Sequence, residues 1–288
     1  IQEGCDKFCS FCVVPYTRGS EYSRPINSIL DEAKKLIDAG AKEITLLGQN
    51  VNAWNANGSD DRVWGLGKLI NELAKIKELK FIRYMTSHPL DMDTELIEAH
   101  RDIEKLMPFL HLPVQSGSDN ILKLMNRKHK VSDYLKIIEK VRNYIPNIAI
   151  SGDFIIGFPG ETDKDHQKTL ELIREIEFSQ AYSFKYSIRP GTPAAVFFDQ
   201  VDEKIKNIRL QEVQNILREQ QFKFNQKSIN SDIKVLVLKN GKKDNQYLGR
   251  SPYNQSVFLN HEKENLIGSI VNVKVSEAYQ NSLSGHIA

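Results

Sequence analysis

Gly4-Cys5-Asp6-Lys7-Phe8-Cys9-Ser10-Phe11-Cys12 holds all 3 cysteines of this 288-residue chain. A structural zinc site takes four ligands, sulfur alone or sulfur with histidine, and the nearest histidine in the sequence is His88. Three buried thiols acting as small apolar groups would be scattered, and a disulfide framework calls for an even count and a secretory context. Three thiolates this close together instead leave a metal centre one ligand short. A four-iron cluster held in this way keeps one iron open, and S-adenosylmethionine (SAM) can chelate that iron through its amino and carboxylate groups. A Cys3His zinc site that recruits a distant histidine is the competing reading of the same ligands.

Outward from this loop, helix and strand periodicities alternate. Ile26, Ile29, Leu30, Ala33, Leu36 and Ile37 recur at helical spacing, with Asn27 or Ser28 available as a cap and Gly40 as a left-handed stop. Short strands are expected at 43–49, 80–86, 109–114, 148–156 and 181–187, and helices at 66–76, 94–106, 120–125, 133–144 and 162–178. Counting back, the cysteine loop should follow a first strand of which Ile1-Gln2-Glu3 is the part present. Strands that alternate with helices indicate a parallel sheet with crossover helices. The expected α/β architecture is a partial (βα)6 TIM-like barrel with a truncated first strand. Chemistry in such barrels sits at the carboxyl ends of the strands, and the polar and glycine-rich runs fall there: Gly48-Gln49-Asn50-Val51-Asn52, Ser87-His88-Pro89, Gln115-Ser116-Gly117-Ser118, Gly157-Phe158-Pro159-Gly160-Glu161 and Arg189-Pro190-Gly191-Thr192.

A long polar helix is expected at 203–224, its apolar face broken across Ile205, Ile208, Val213, Ile216 and Leu217. From Ile229 on, strand patterns at 233–238, 247–249, 256–259 and 270–275, with Asn240-Gly241 as a hairpin signal, read as a small closed antiparallel barrel. The division is therefore 1–224 and 225–288. In the second part Lys234, Lys239, Lys242, Lys243 and Arg250 interleave with Tyr247, Tyr253 and Phe258, which suits phosphate contact and base stacking. Asp244, Glu262 and Glu264 lie among them, so a solvated charged surface is the other reading.

Composition narrows the function less. A formal net charge of +2 does not by itself mark a nucleic-acid partner, and no apolar run is long enough to cross a bilayer. Clustered free thiols without a secretory signal point to a reducing cytoplasm.

The runs Glu3 to Gly19, Ser23-Arg24-Pro25, Leu46 to Ala53, His111 to Ser118, Asp153 to Thr162, Phe184 to Ser187 and Arg189 to Pro193 closely resemble the MiaB-type tRNA methylthiotransferases, a family of radical SAM enzymes. The resemblance covers essentially the whole chain, and the C-terminal barrel is similar to that family's TRAM domain, an RNA-binding module. It implies methylthiolation at C2 of N6-dimethylallyladenosine beside the anticodon, with the tRNA anticodon stem-loop as substrate and a flavodoxin-like protein as electron donor. The phrases 13–19 and 48–52 look like the prenyl-adenosine branch rather than the branches acting on threonylcarbamoyl adenosine or on a ribosomal protein. The family also carries an N-terminal domain with three further cysteines and a second cluster, which this chain does not support. The expectation is a fragment, or a split-gene product whose separate partner chain supplies that half; a tRNA-binding remnant without catalysis is the competing one.

An unactivated aromatic C–H bond offers neither useful acidity nor a leaving group, so sulfur can be placed there only through cofactor-supplied radical chemistry. On this reading Cys5, Cys9 and Cys12 hold a 4Fe-4S cluster that passes one electron to SAM, which splits to methionine and a 5′-deoxyadenosyl radical. Phe11, between two ligands, either packs on the adenine or covers the cluster. Gly157 permits close backbone approach to a ligand or simply a tight turn. Gln49, Asn50, Gln115, Ser116, Asp153 and Arg189 are candidate cofactor contacts, each with the alternative of a satisfied barrel polar group. Arg18, Arg24 and Arg189 either grip carboxylate or phosphate or form surface ion pairs.

Overall fold

The computed structural model describes residues 1–58, 62–262 and 265–288; Glu264 of the charged set above lies outside them. Strand β1 (Gln2–Glu3) precedes the cysteine loop, and α1 (Val14–Arg18), β2 (Tyr22–Ser23) and α2 (Ile26–Asp38) follow it. Next come β3 (Glu43–Leu46), a hairpin of β4 (Asn55–Asn57) and β5 (Val63–Gly65), α3 (Leu66–Ala74), β6 (Phe81–Tyr84), α4 (Thr94–Asp102) and β7 (Phe109–His111). Helices α5 (Asp119–Leu124) and α6 (Val131–Tyr144), β8 (Ala149–Ile156), α7 (Asp163–Ile176) and β9 (Gln180–Lys185) complete the first unit. Helix α8 (Glu203–Gln226) leads to β10 (Asp232–Asn240), β11 (Gln246–Arg250), β12 (Ser256–Asn260), β13 (Ile270–Ala278) and β14 (Ser282–Ile287).

β3 pairs in parallel with β6, β7–β8–β9 form a second parallel ladder, and a bridge between Ile82 and Leu106 joins the two. This is the expected partial α/β barrel. Along the strands Leu46, Ile82, Tyr84, Leu110, Leu112, Ile150 and Phe154 pack against the helices in one core. By strand alternation Arg83, His111, Asp153 and Ile155 face the inside. The first strand departs from expectation, because Gln2–Glu3 spends its backbone hydrogen bonds on an antiparallel pairing with β2. It meets the segment just past β3 through the Ile1 amine, which donates to Leu47 O at 2.9 Å, and through the Gln2 side chain, which accepts from the Asn50 N–H at 2.9 Å.

Local signals fared unevenly. Gly40 does stop α2 at φ +100°, but Asn27 and Ser28 lie inside the helix, which starts at Pro25 without a side-chain cap. Thr162 and Asp165 cap α7 reciprocally. In α8, Val213 and Leu217 are buried while Ile205 and Ile208 stay exposed, because the polar chains of Lys206 and Arg209 take the buried positions in that first half. No helix among the described residues is long and apolar enough to cross a membrane.

The C-terminal strands close in the order β10-β11-β12-β14-β13 around Val235, Val237, Val257, Leu259, Val273, Val275 and Leu283. The barrel is not wholly antiparallel, since β12 and β14 pair in parallel. Asn240-Gly241 does lie at a hairpin, but the left-handed residue there is Asn245, at φ +56°.

The small barrel docks at the amino-terminal end of the parallel strands. Arg83 Nε donates to Glu43 at 2.9 Å, its terminal nitrogens donate to the Pro252 and Ser251 carbonyls at 2.8 and 2.7 Å, and Arg250 reaches the other Glu43 oxygen at 3.0 Å. Phe81, Met107, Leu236 and Ile270 form the apolar part of the contact. The Arg83 and Glu43 side chains are 2% and 9% exposed, so removing one strands its partner away from water. Arg83→Ala is expected to cost about 3–5 kcal/mol in chemical denaturation, with the C-terminal barrel becoming separately accessible to limited proteolysis.

Candidate active site

The cysteine loop has its polar groups met by distant segments. Cys5 N–H donates to Gly19 O at 3.2 Å, Ser10 N–H to Met125 O at 3.0 Å and Ser10 Oγ to Leu124 O at 2.7 Å. Phe8 turns the chain at φ +49°, and its carbonyl accepts from Asn126 Nδ2 at 2.8 Å. Cys9 is buried, and Cys5 and Cys12 are half-buried. Burial pushes the Cys5 and Cys12 thiols up, a penalty that bound metal reverses by taking the thiolate. Among the described residues no three or more His, Cys, Asp or Glu side chains converge as ligands of one metal ion. A cubane takes one thiolate per iron, and three neighbouring thiols are the donor type it calls for.

Arg127 is a site residue that sequence reasoning missed. Its buried guanidinium donates to Cys9 Sγ at 3.7 Å and to the Pro113 carbonyl, and its Nε has no partner. A fixed positive charge beside sulfur opposes the thiolate charge and keeps a donor for a carboxylate. The Arg127 carbonyl meets His129 Nδ1 at 3.1 Å, and the His129 ring stands edge-on to His88 at 5.7 Å. Burial, and then the Arg127 charge, hold His88 down to about 2 and His129 to about 4. Both imidazoles are neutral at physiological pH, with buried Nε2 atoms that lack partners. Nothing in the spacing of Asn126-Arg127-Lys128-His129 marks this; only its return to the cysteine loop does.

The predicted contacts divide. Phe11 stands edge-on to Phe158 at 6.5 Å and packs with Ile121, Met125 and Tyr186, tying the cysteine loop to the Gly157–Glu161 loop. Asn50 anchors the entrance: its Nδ2 donates to Asp91 at 2.8 Å, and Asp91 pairs with Lys7 of the cysteine loop at 2.7 Å. The side-chain oxygens of Gln49 and Asn50 are buried without partners. Gln115 is left-handed at φ +79°, with its backbone bonded to Asp153 and Ile155 of β8. Asp153 lies 3.6 Å from His111 Nε2. The structure turns Ser116 away: it is 1% exposed, and its hydroxyl accepts from Ser118 N–H and meets Thr169 of α7. Gly157 sits at φ +69°, and the space a Cβ would fill is taken by Lys206, 2.3 Å away. Its N–H donates to Glu161, which Arg209 holds at 2.8 Å, so α8 shapes this loop from behind. Arg18 and Arg189 are exposed, and Arg24 pairs with Glu32 at 2.6 Å.

Comparison with known proteins gives the same frame. The model of the radical SAM superfamily matches residues 1–173. The chain belongs to that superfamily. The TRAM domain model matches residues 226–288. Among solved structures, the chain is similar in fold to the radical SAM methyltransferase TsrM from Kitasatospora setae, solved with cobalamin and a 4Fe-4S cluster, at 16% identity and a TM-score of 0.55 over 68% of this chain and 37% of that one. It is similar to coproporphyrinogen III oxidase HemN from Escherichia coli, described as a radical SAM enzyme, at 15% identity and a TM-score of 0.52, over 97% of this chain and 68% of that one. Methylornithine synthase PylB gives 15% identity and a TM-score of 0.51, over 76% and 60%. At these identities the shared property is the fold, and the chain spans well under half of TsrM.

In the TRAM barrel the structure sorts the basic and aromatic residues expected to meet RNA. Arg250 is committed to Glu43, Lys234 lies 3.8 Å from Glu104, Tyr247 packs on the barrel core and Tyr253 stands edge-on to Phe224 at 5.9 Å. Lys239, Lys242 and Lys243 remain exposed, and Phe258 is half-exposed.

A left-handed non-glycine residue at a strand end is strain kept for its side chain. Gln115→Gly is therefore expected to raise thermal stability, by up to about 1 kcal/mol, while lowering SAM cleavage in the reconstituted protein. A calorimetric scan beside a 5′-deoxyadenosine assay reads both.

Proposed function

We propose that the chain is an RNA-modifying radical SAM enzyme of the MiaB type, methylthiolating C2 of N6-dimethylallyladenosine next to the anticodon of tRNA. Residues 1–224 carry the radical chemistry and 225–288 bind RNA, in a reducing cytoplasm. The observation that carries the reading is the pairing in one chain of a three-cysteine loop, buttressed by a buried arginine, with a docked TRAM barrel. The two lie at opposite ends of the parallel strands. A substrate touching both must span roughly 25 Å, the length of an eight-residue strand such as β8. That supports a polynucleotide substrate over a free nucleoside.

Cys5, Cys9 and Cys12 would hold a 4Fe-4S cluster, which would supply one-electron cleavage of SAM and with it a radical able to act on an unactivated C–H bond. The chain's own residues do the rest by placement. Arg127 offers its free Nε–H to a carboxylate beside Cys9, and the partnerless side-chain oxygens of Gln49 and Asn50 accept from an amino group. Phe11 and Phe158 close the far wall against water. Gln115, past the end of β7, and Asp153, within β8, present polar groups to the inside of the barrel. Ser116 keeps the loop's shape through Ser118 N–H and Thr169.

The test is anoxic turnover of the reconstituted chain with dithionite, SAM and prenylated tRNA, reading 5′-deoxyadenosine and methylthiolated nucleoside by mass spectrometry. Both products establish the full activity. 5′-Deoxyadenosine alone assigns sulfur insertion to a second polypeptide or segment, and neither product favours a tRNA-binding protein without catalysis. Alanine at Cys5, Cys9 or Cys12 should abolish the charge-transfer colour and the cleavage together.

RNA binding has its own readout. Replacing Lys239, Lys242 and Lys243 by Gln should reduce the slope of log affinity against log salt by about two. Arg250→Gln should leave that slope unchanged, because its charge is already spent on Glu43. Fluorescence anisotropy with a labelled anticodon stem-loop across a salt series measures both.

A further inference from the structure

The turn from Leu124 to Lys130 faces two ways. Inward it is bonded to the cysteine loop through Leu124, Met125 and Asn126, and Arg127 touches Cys9 Sγ. Outward it presents Lys123, Lys128 and Lys130, all exposed, around a depression of about 550 Å³ that Asn120, Asn126, His129 and the two acids Asp119 and Asp133 also line. Asn126 and Lys128 are held left-handed, at φ +58° and +57°. This unusual backbone sends successive residues to opposite sides, with Arg127 and His129 buried and Lys128 and Lys130 in solvent. The acids nearby are turned to the start of α6: Asp119 accepts from Val131 N–H at 2.7 Å and Asp133 from Lys130 N–H at 3.0 Å. Among the described residues none of the three lysine ammonium groups is in an ion pair.

A cluster in this loop must receive an electron from outside the chain. On this side exposed Lys128 is the chain neighbour of the arginine that touches Cys9. We propose that the lysine turn 123–130 is the docking surface of an acidic one-electron carrier protein of the flavodoxin type, and that the electron enters past Arg127 and Cys9. The proposal rests on the radical reading above. In each encounter the carrier is oxidised by one electron and the cluster reduced by one, and no atom is transferred. Carriers of this kind form small, weak, salt-sensitive interfaces steered by opposite charge, which three unpaired lysines around a shallow depression suit. RNA is the other macromolecule that lysines fit. The depression contains no Phe, Tyr or Trp for a base to stack on.

The experiment compares the full chain with a Lys123→Glu, Lys128→Glu, Lys130→Glu variant and with the milder triple Lys→Gln variant. 5′-Deoxyadenosine formation is driven either by dithionite or by a reduced bacterial flavodoxin. The dithionite rate should be unchanged in both variants. The flavodoxin rate should fall about tenfold or more in the Glu variant at low ionic strength, less in the Gln variant, with the gap closing at high salt. Binding of oxidised flavodoxin to the cluster-free chain, followed by flavin anisotropy, should be lost in parallel. Equal flavodoxin rates and equal binding in all three proteins overturn the proposal. A variant that binds flavodoxin normally but loses tRNA affinity also overturns it and assigns the lysines to RNA. If the unmodified chain forms no 5′-deoxyadenosine with either reductant, the radical reading fails, and the cluster-free titration still decides the docking surface.

Discussion

Irregular backbone must find its hydrogen-bond partners elsewhere, and the cysteine loop finds them in three segments that the barrel brings to one end. Gly19 closes the loop behind Cys5, the turn after α5 receives Ser10 and Phe8, and Lys7 pairs with Asp91, which also holds Asn50. The sulfurs therefore sit where the parallel strands put these segments. If the register between β7 and β8 slipped, the Leu124–Arg127 turn would move and Cys9 would lose the guanidinium beside it.

Charge is distributed along the barrel axis to match this placement. At the carboxyl ends a buried arginine lies next to sulfur and two neutral histidines, with donors and acceptors left unpaired. At the amino ends Arg83 and Arg250 share Glu43, and carbonyls of the small barrel fill the remaining positions. The first arrangement leaves polar atoms open to a ligand. The second satisfies them, and it holds the TRAM domain as the floor of the radical domain rather than as a tethered appendage. A buried ion pair contributes little net stability compared with an apolar contact, but one left half-paired is costly, so the floor is specific in its position.

How much was legible depended on the range of the interaction. The alternation of β3, α3, β6, α4, β7, α6, β8, α7 and β9 could be read because buried parallel strands and amphipathic helices carry their periodicity locally. The β4–β5 hairpin and β14 could not. Asn55-Ala56-Asn57 has almost no apolar signal, and Ser282 to Ile287 offers only Leu283 and Ile287, too few for a period. Asn27 and Ser28 misled because Pro25 sets the entry to α2 by fixing φ, so no side-chain cap is used. Ser116, read as a candidate contact from its strand-end position, has its hydroxyl engaged by Ser118 N–H and Thr169.

The sequence by itself determined the three cysteines and their spacing, the α/β order and the switch to short strands after α8, since each is written in neighbouring residues. Tertiary structure alone decided that Arg127 stands at Cys9, 118 residues away, and that Arg83 meets Ser251, 168 residues away. It also decided which lysines stay free and which are spent. Those pairings depend on where the crossover helices return the chain, and a guanidinium carries no mark in its own neighbourhood of the carbonyl or sulfur it will reach.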